Sequence, residues 1–137
     1  MERNSTPAPK RATSLTTKDD ADILAAWASY NQAREIYDTT PDEGPYIMGV
    51  NAAQQAQIDI MEPAENLIGE AAPATLRGLE IQLWSMLVHS VNTQEAATLA
   101  RTEQLEALQG HCDWIECHAL NAIRAIRAMA AKEGGAK

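Results

Sequence analysis

The sequence predicts an all-α protein, and three observations carry the prediction. Alanine is abundant while phenylalanine is absent. No stretch alternates apolar and polar residues for long enough to make a strand. Apolar side chains instead recur at spacings of three and four through most of the chain beyond residue 20, the repeat of one face of a helix. A chain of 137 residues is one domain by size and buries on the order of two-thirds of the surface its unfolded form exposes. The architecture expected is an antiparallel bundle of four main helices over residues 18–133. A disordered basic arm is expected over 1–17 and a flexible C-terminus over 134–137.

The arm contains Pro7, Pro9 and a run of serines and threonines, with Leu15 its one sizeable apolar side chain after Met1. Such a segment buries too little to offset the entropy of ordering it. Helix one opens on Asp19, Asp20 and Asp22, whose charges suit the positive end of a helix dipole. Ile23, Trp27, Tyr30, Arg34 and Tyr37 then mark one face. Thr39 to Pro45 breaks the helix, with two prolines and a glycine that cannot propagate it. Thr40 and Glu43, flanking Pro41, have the spacing of a capping box for the next helix.

The second helix is expected to carry its apolar stripe at Val50, Ala53, Gln57, Ile60, Ala64, Leu67 and Ala71, with Asp59, Glu62, Asn66 and Glu70 opposite. Pro63 falls on the polar side without shifting the phase, so a kink, or two short helices end to end, is expected there. Thr75 is the expected N-cap of a third, central helix. Leu76, Leu79, Leu83 and Met86 recur along it, and Ile81, Trp84, Leu87, Val88 and Val91 fill most of the remaining circumference. A helix apolar nearly all round belongs inside a bundle. Its roughly 16 residues make about 24 Å, short of a membrane span.

Asn92 and Glu95 have the spacing of another capping box. Leu105, Leu108, Cys112, Ile115, Ala119, Ala122, Ile126 and Met129 then keep an unbroken alternation, interrupted in composition by Gly110 alone. Running from Gln94 to Met129, such a helix would be about 50 Å long, more than a compact domain of this size covers. Either Gly110 folds it back, or its protruding half packs against a second copy in a homodimer through Leu99, Leu105 and Leu108. Arg124, Arg127 and Lys132 suit the negative end of the dipole, and Gly134 and Gly135 end the helix. Trp27, Trp84 and Trp114 are expected in one core.

Pro73, Ala74, Thr75, Leu76, Gly78, Leu79 and Leu83, followed by Asp113 and Trp114 at the opening of the last helix, set an order of elements over residues 20–130. In this order the chain resembles a loose group of short all-helical proteins of unknown function from bacterial genomes and prophages. Gln82 and Trp84 depart from the lysine or arginine expected in the middle of that group's third helix. The resemblance implies a prophage-type accessory protein and supplies no catalytic residue.

Reactive side chains are densest over residues 111–118, with His111, Cys112, Asp113, Glu116, Cys117 and His118. Neither Cys-x-x-Cys nor His-x-x-x-His spacing is present, so no tetrahedral zinc site is expected. The two cysteines point about 140° apart on a helix and are expected to remain reduced thiols in the cytoplasm. Cys112 falls on the apolar stripe, and the histidines are expected to be partly buried and hydrogen-bonded. His89, among apolar neighbours, has the side chain most readily tuned for general-base work, although packing explains it as well. No nucleophile elbow or phosphate-binding glycine loop is present. The expected protein is therefore not an enzyme and binds no cofactor or metal.

Arg3, Lys10, Arg11 and Lys18 against Glu2 give residues 1–18 a charge of +3, so the remainder carries −11 within a total of −8. That balance disfavours a phosphate backbone as ligand; no membrane association is expected, and a protein partner is. Asp38, Asp42, Glu43, Asp59, Glu62 and Glu70 form the candidate interaction surface. The alternative is a helical nucleic-acid-binding protein that uses its basic arm.

Overall fold

A computed structural model describes residues 19–135, and the arm expected over 1–17 lies outside them, as do the last two residues. The described chain is all-helical: α1 Ala21–Thr39, α2 Ala52–Glu70, α3 Leu76–Ser90, α4 Gln94–Arg101, α5 Leu105–Gln109 and α6 Trp114–Gly135. α1 packs most extensively on α2, while α3 packs on both α4 and α6. Ile23, Trp27, Ile68, Ile81, Trp84, Leu87, Leu108, Leu120 and Ile123 form the centre of one core. No helix among the described residues is long and apolar enough to cross a membrane.

α3 is less enclosed than its composition suggests. Ile81, Trp84, Leu87 and Val88 face the core, but Leu79 and Met86 are exposed and Leu83 is only partly covered. Its start is fixed from a distance. Thr75 caps α3 through its own hydroxyl, which accepts from the Gly78 amide at 3.0 Å. The carboxylate of Asp20 accepts from the Ala74 amide at 2.9 Å, the Thr75 amide at 2.8 Å and the Thr75 hydroxyl at 2.5 Å. Asp20 is therefore buried and sits at φ 56°, a left-handed conformation that aspartate tolerates better than most residues. It serves the N-terminus of α3 rather than the dipole of its own helix. A Cβ at Gly78 would run into this carboxylate.

The stripe of α2 is rotated by about one residue from the expected one. Gln54, Met61, Ala64 and Ile68 are buried, while Ala53 and Ile60 face outward. The helix starts at Asn51, not near Thr40. Asn51 and Gln54 make a reciprocal capping box, each side-chain oxygen accepting from the other's backbone amide at 2.8 Å. Pro63 lies inside α2, which is assigned as a single helix through Glu62 and Pro63. At its end, the Gln82 side-chain Nε2 donates to the Ile68 and Ala71 carbonyls at 2.9 and 2.8 Å.

The long last segment is three helices rather than one. Thr93, not Asn92, caps α4 by accepting from the Ala96 amide. α4 ends in a Schellman motif, the Gln104 amide donating to the Leu99 carbonyl at 2.9 Å and the Glu103 amide to the Ala100 carbonyl at 3.0 Å. Glu103 holds the left-handed position, φ 59°, where glycine is usual. Its carboxylate is what keeps it there: it accepts from the Trp27 indole at 2.9 Å and from both Arg77 Nη atoms at 2.7 and 2.8 Å.

A second break follows at Gly110, which ends α5. α6 then opens on Asp113, whose capping box with Glu116 is closed by bonds of 2.9 and 2.7 Å. α6 runs on through Gly134 to Gly135, past the expected stop. These breaks return the segment to its own core. Leu105 and Leu108 are buried and Leu99 is packed against them, so the face expected to join a second copy is spent within one chain. Trp114 leaves the core altogether and is 74% exposed, with Ile115 beside it also exposed.

Candidate protein-interaction surface

The connection between α1 and α2 carries a minimal hairpin, a four-residue turn closed by one isolated β-bridge. Ile47 and Val50 exchange both backbone hydrogen bonds, at 2.8 and 3.2 Å. The two residues between them, Met48 and Gly49, have φ of 56° and 86°. Positive φ at both central positions marks a type I′ turn, whose first position strongly prefers Asn, Asp or Gly. A methionine there costs on the order of 1 kcal/mol in backbone strain. It also lies 95% exposed, beside Ile47 at 78% and a half-exposed Tyr46. Neither local conformation nor burial within this chain accounts for that choice.

The hairpin is held firmly on its base. The Asn51 side-chain amide, which is buried, donates to the Pro41 carbonyl at 2.9 Å and the Glu43 carbonyl at 3.0 Å while its oxygen caps α2. The Tyr46 hydroxyl donates to the Asp42 carbonyl at 3.0 Å. Loss of solvation raises the pKa of this phenol, and the bond to Asp42 and its nearby charge add to the effect. Between the hairpin and α2 lies an open cleft of about 690 Å³, lined by Pro41, Pro45, Ile47, Val50, Ala53 and Ala56, with Glu43 and Asp59 among its polar walls.

The six acidic residues expected to form one surface are distributed unequally about this cleft. Glu43 and Asp59 line it, and Asp42 is exposed next to Glu43. Glu62 lies one turn further along α2, exposed, and Glu70 about 12 Å beyond that along the helix axis. Asp38 belongs elsewhere. Its carboxylate is mostly covered, paired with Arg34 at 2.9 Å, and faces a different cavity. Tyr46, Ile47 and Met48 were missed because the run follows two prolines and a glycine and reads as a breaker. Its apolar content and the following Gly49 were the available signal.

The reactive side chains of residues 111–118 do not converge. His111 and His118 are exposed rather than partly buried, His118 lying edge-on to the Trp114 ring at 5.7 Å. Cys112 and Cys117 are free and partly buried, and burial pushes the Cys112 thiol up to about 11. Among the described residues no three His, Cys, Asp or Glu side chains group as metal ligands. His89 is half exposed on the rim of the cavity that Asp38 faces, 3.5 Å from Glu65.

No family model, curated protein or solved structure matches this chain. The class that fold and site define is an all-helical protein with one projecting apolar hairpin beside an acid-edged cleft.

Proposed function

We propose that this protein acts by binding another protein, an accessory role in a bacterial or prophage setting, and that the Tyr46–Met48 tip is the anchor. The observation that carries the reading is Met48, exposed and in a left-handed conformation that better-suited residues would occupy without strain. An apolar anchor surrounded by polar groups is the usual centre of a binding hot spot. Glu43, Asp42 and Asp59 give the cleft a negative edge, so the partner segment has an apolar residue for the cleft and lysines or arginines flanking it. Two free thiols are in keeping with a cytoplasmic location. The scaffold in this reading is an antiparallel bundle of α1, α2, α3 and α6. A kink at Pro63 completes it, supported by the backbone N–H that proline lacks.

Selection from a displayed random-peptide library tests this. The expected outcome is enrichment of an apolar residue flanked by basic ones, lost in Met48→Asn while that variant remains folded. Enrichment that Met48→Asn leaves unchanged, or none at all, would overturn the reading.

A further inference from the structure

α6 presents an outward face that the described residues leave largely uncovered. The helix rests on α3 and, less extensively, on α5. Away from them, Ile115, His118, Ala122, Ala125 and Met129 recur at spacings of three, four, three and four, the repeat of a seam between two packed helices. Ile115 is 59% exposed and Met129 48%. Trp114, at 74%, lies edge-on to His118 with 5.7 Å between ring centres, which sets the indole beside the stripe.

The same face carries no carboxylate, ammonium or guanidinium. Between Trp114 and Ala131 the residues of that kind on α6 are Glu116, Arg124 and Arg127. Each turns to a partner on this chain: Glu116 accepts from the Ser90 hydroxyl, Arg124 donates to Gln109 and Asn121, and Arg127 donates to Glu80. Lys132 and Glu133, just past Met129, cancel each other. The outward side is thus without fixed charge for about 22 Å, in a chain whose residues beyond 18 carry −11.

Two features say what fits this face. Acidic chains repel one another, and two copies meet with least repulsion across a face without charge. The stripe is also complementary to itself when reversed, because Trp114, Ile115 and Met129 stand at its ends and Ala122 and Ala125 at its middle. Laid antiparallel on a second copy, the Trp114 end of each helix meets the Met129 end of the other, where sulfur packs well against an indole. Alanine against alanine lets the axes approach to about 8 Å, the near end of the usual range. The antiparallel sense also sets the positive end of each helix dipole beside the negative end of its partner's.

We propose that the outer face of α6 is a homodimer interface, two copies pairing antiparallel through Trp114, Ile115, Ala122, Ala125 and Met129. Such a two-fold pairing closes on itself and gives dimers, not filaments. One helix pair of this length buries no more than about 1,200 Å² in total, the size of weak and reversible complexes, so the Kd falls at about 10 to 100 µM. The interface is not the leucine face expected from the sequence, since Leu105 and Leu108 lie in the core. It does not depend on the role of the hairpin.

Sedimentation equilibrium of the full chain, from about 1 to 500 µM so as to bracket that Kd, tests it. The expected result is a monomer-dimer equilibrium within that range, tightening as sodium chloride is raised because salt screens the repulsion between acidic chains. Ala125→Glu, at an exposed position, sets like charges across the seam and weakens pairing about tenfold or more while leaving thermal unfolding of the dilute monomer unchanged. Met48→Asn leaves pairing unchanged. In a mixture of isotope-labelled and unlabelled chains, nuclear Overhauser contacts between copies join the Trp114 indole of one to the Met129 methyl of the other. A monomer throughout would overturn the proposal and leave the face to a different partner. Pairing that Ala125→Glu leaves intact, or contacts between the two Trp114 rings, would also overturn it.

Discussion

Asp20, Gly78 and Glu103 show how much one residue can decide. Alanine at a helical position usually stabilises by about 1 kcal/mol over glycine. At Gly78 the sign reverses, because the added methyl would occupy the space of the Asp20 carboxylate and break its bonds to Ala74 and Thr75. Gly78→Ala is expected to cost about 3 kcal/mol, combining overpacking with disrupted charge-assisted hydrogen bonds. Urea unfolding measures this directly, and a variant as stable as the parent would show that the contact has been misjudged. Met48 gives the opposite pattern. Met48→Asn relieves a strained turn, so unfolding should show unchanged or slightly raised stability, by up to about 1 kcal/mol, even as peptide capture is lost.

At the scale of elements, the hairpin and α2 depend on each other through Asn51. Its oxygen closes the capping box, and its amide nitrogen ties down the Pro41 and Glu43 carbonyls. Asn51→Ala loses a cap and the two bonds to the Pro41 and Glu43 carbonyls, an expected cost of about 2 kcal/mol. Amide hydrogen exchange should show the first turn of α2 and the 47–50 hairpin opening together. Protection lost in only one of them would mean that Asn51 does not couple the two. The same logic links α3 to α6, where the Ser90 hydroxyl donates to Glu116 at 2.5 Å, inside the capping box that begins α6.

Across the whole molecule, a polar network crosses the base of the core. Glu103 accepts from Trp27 of α1 and Arg77 of α3, while Glu80 accepts from Trp84 at 2.9 Å and from Arg127 of α6 at 3.0 Å. Burial raises the pKa of Glu103, but the bonds from Arg77 and Trp27 and the neighbouring guanidiniums outweigh it, so the carboxyl titrates below its ordinary value. Burial acts on Asp20 in the same sense, and its bonds to Thr75 and Ala74 reverse the outcome. A carboxyl with a lowered folded-state pKa stabilises the fold above its unfolded value, about pH 4.3 for glutamate, and loses that contribution as pH falls through the folded value. Unfolding free energy should therefore decline on acidification below about pH 4.5. Glu103→Gln should be less stable at neutral pH and show a shallower decline. Parallel pH profiles would exclude Glu103 as a source of the acid dependence.

The sequence by itself determined that the described chain is helical, and where most helices lie. α1 and α3 fall where apolar spacing and caps placed them, because those signals act within a few residues, whereas the opening of α6 at Asp113 and Trp114 was expected only from the resemblance. A break at Gly110 was one of two alternatives the sequence left open, and the break at Thr102–Glu103 was not foreseen. Tertiary structure decided what depends on a distant partner. Glu103 can end α4 in a left-handed conformation because Arg77 and Trp27 hold its carboxylate, and nothing near it in sequence announces the turn. α2 turned its stripe towards Met61 and Ile68, since a helix with small apolar residues on several sides takes its facing from the neighbours it packs against. Glu43 and Asp59 line one cavity and Asp38 another, Glu62 and Glu70 lie beyond both, and the hairpin tip stands out, because exposure and proximity across helices arise only when the elements are assembled.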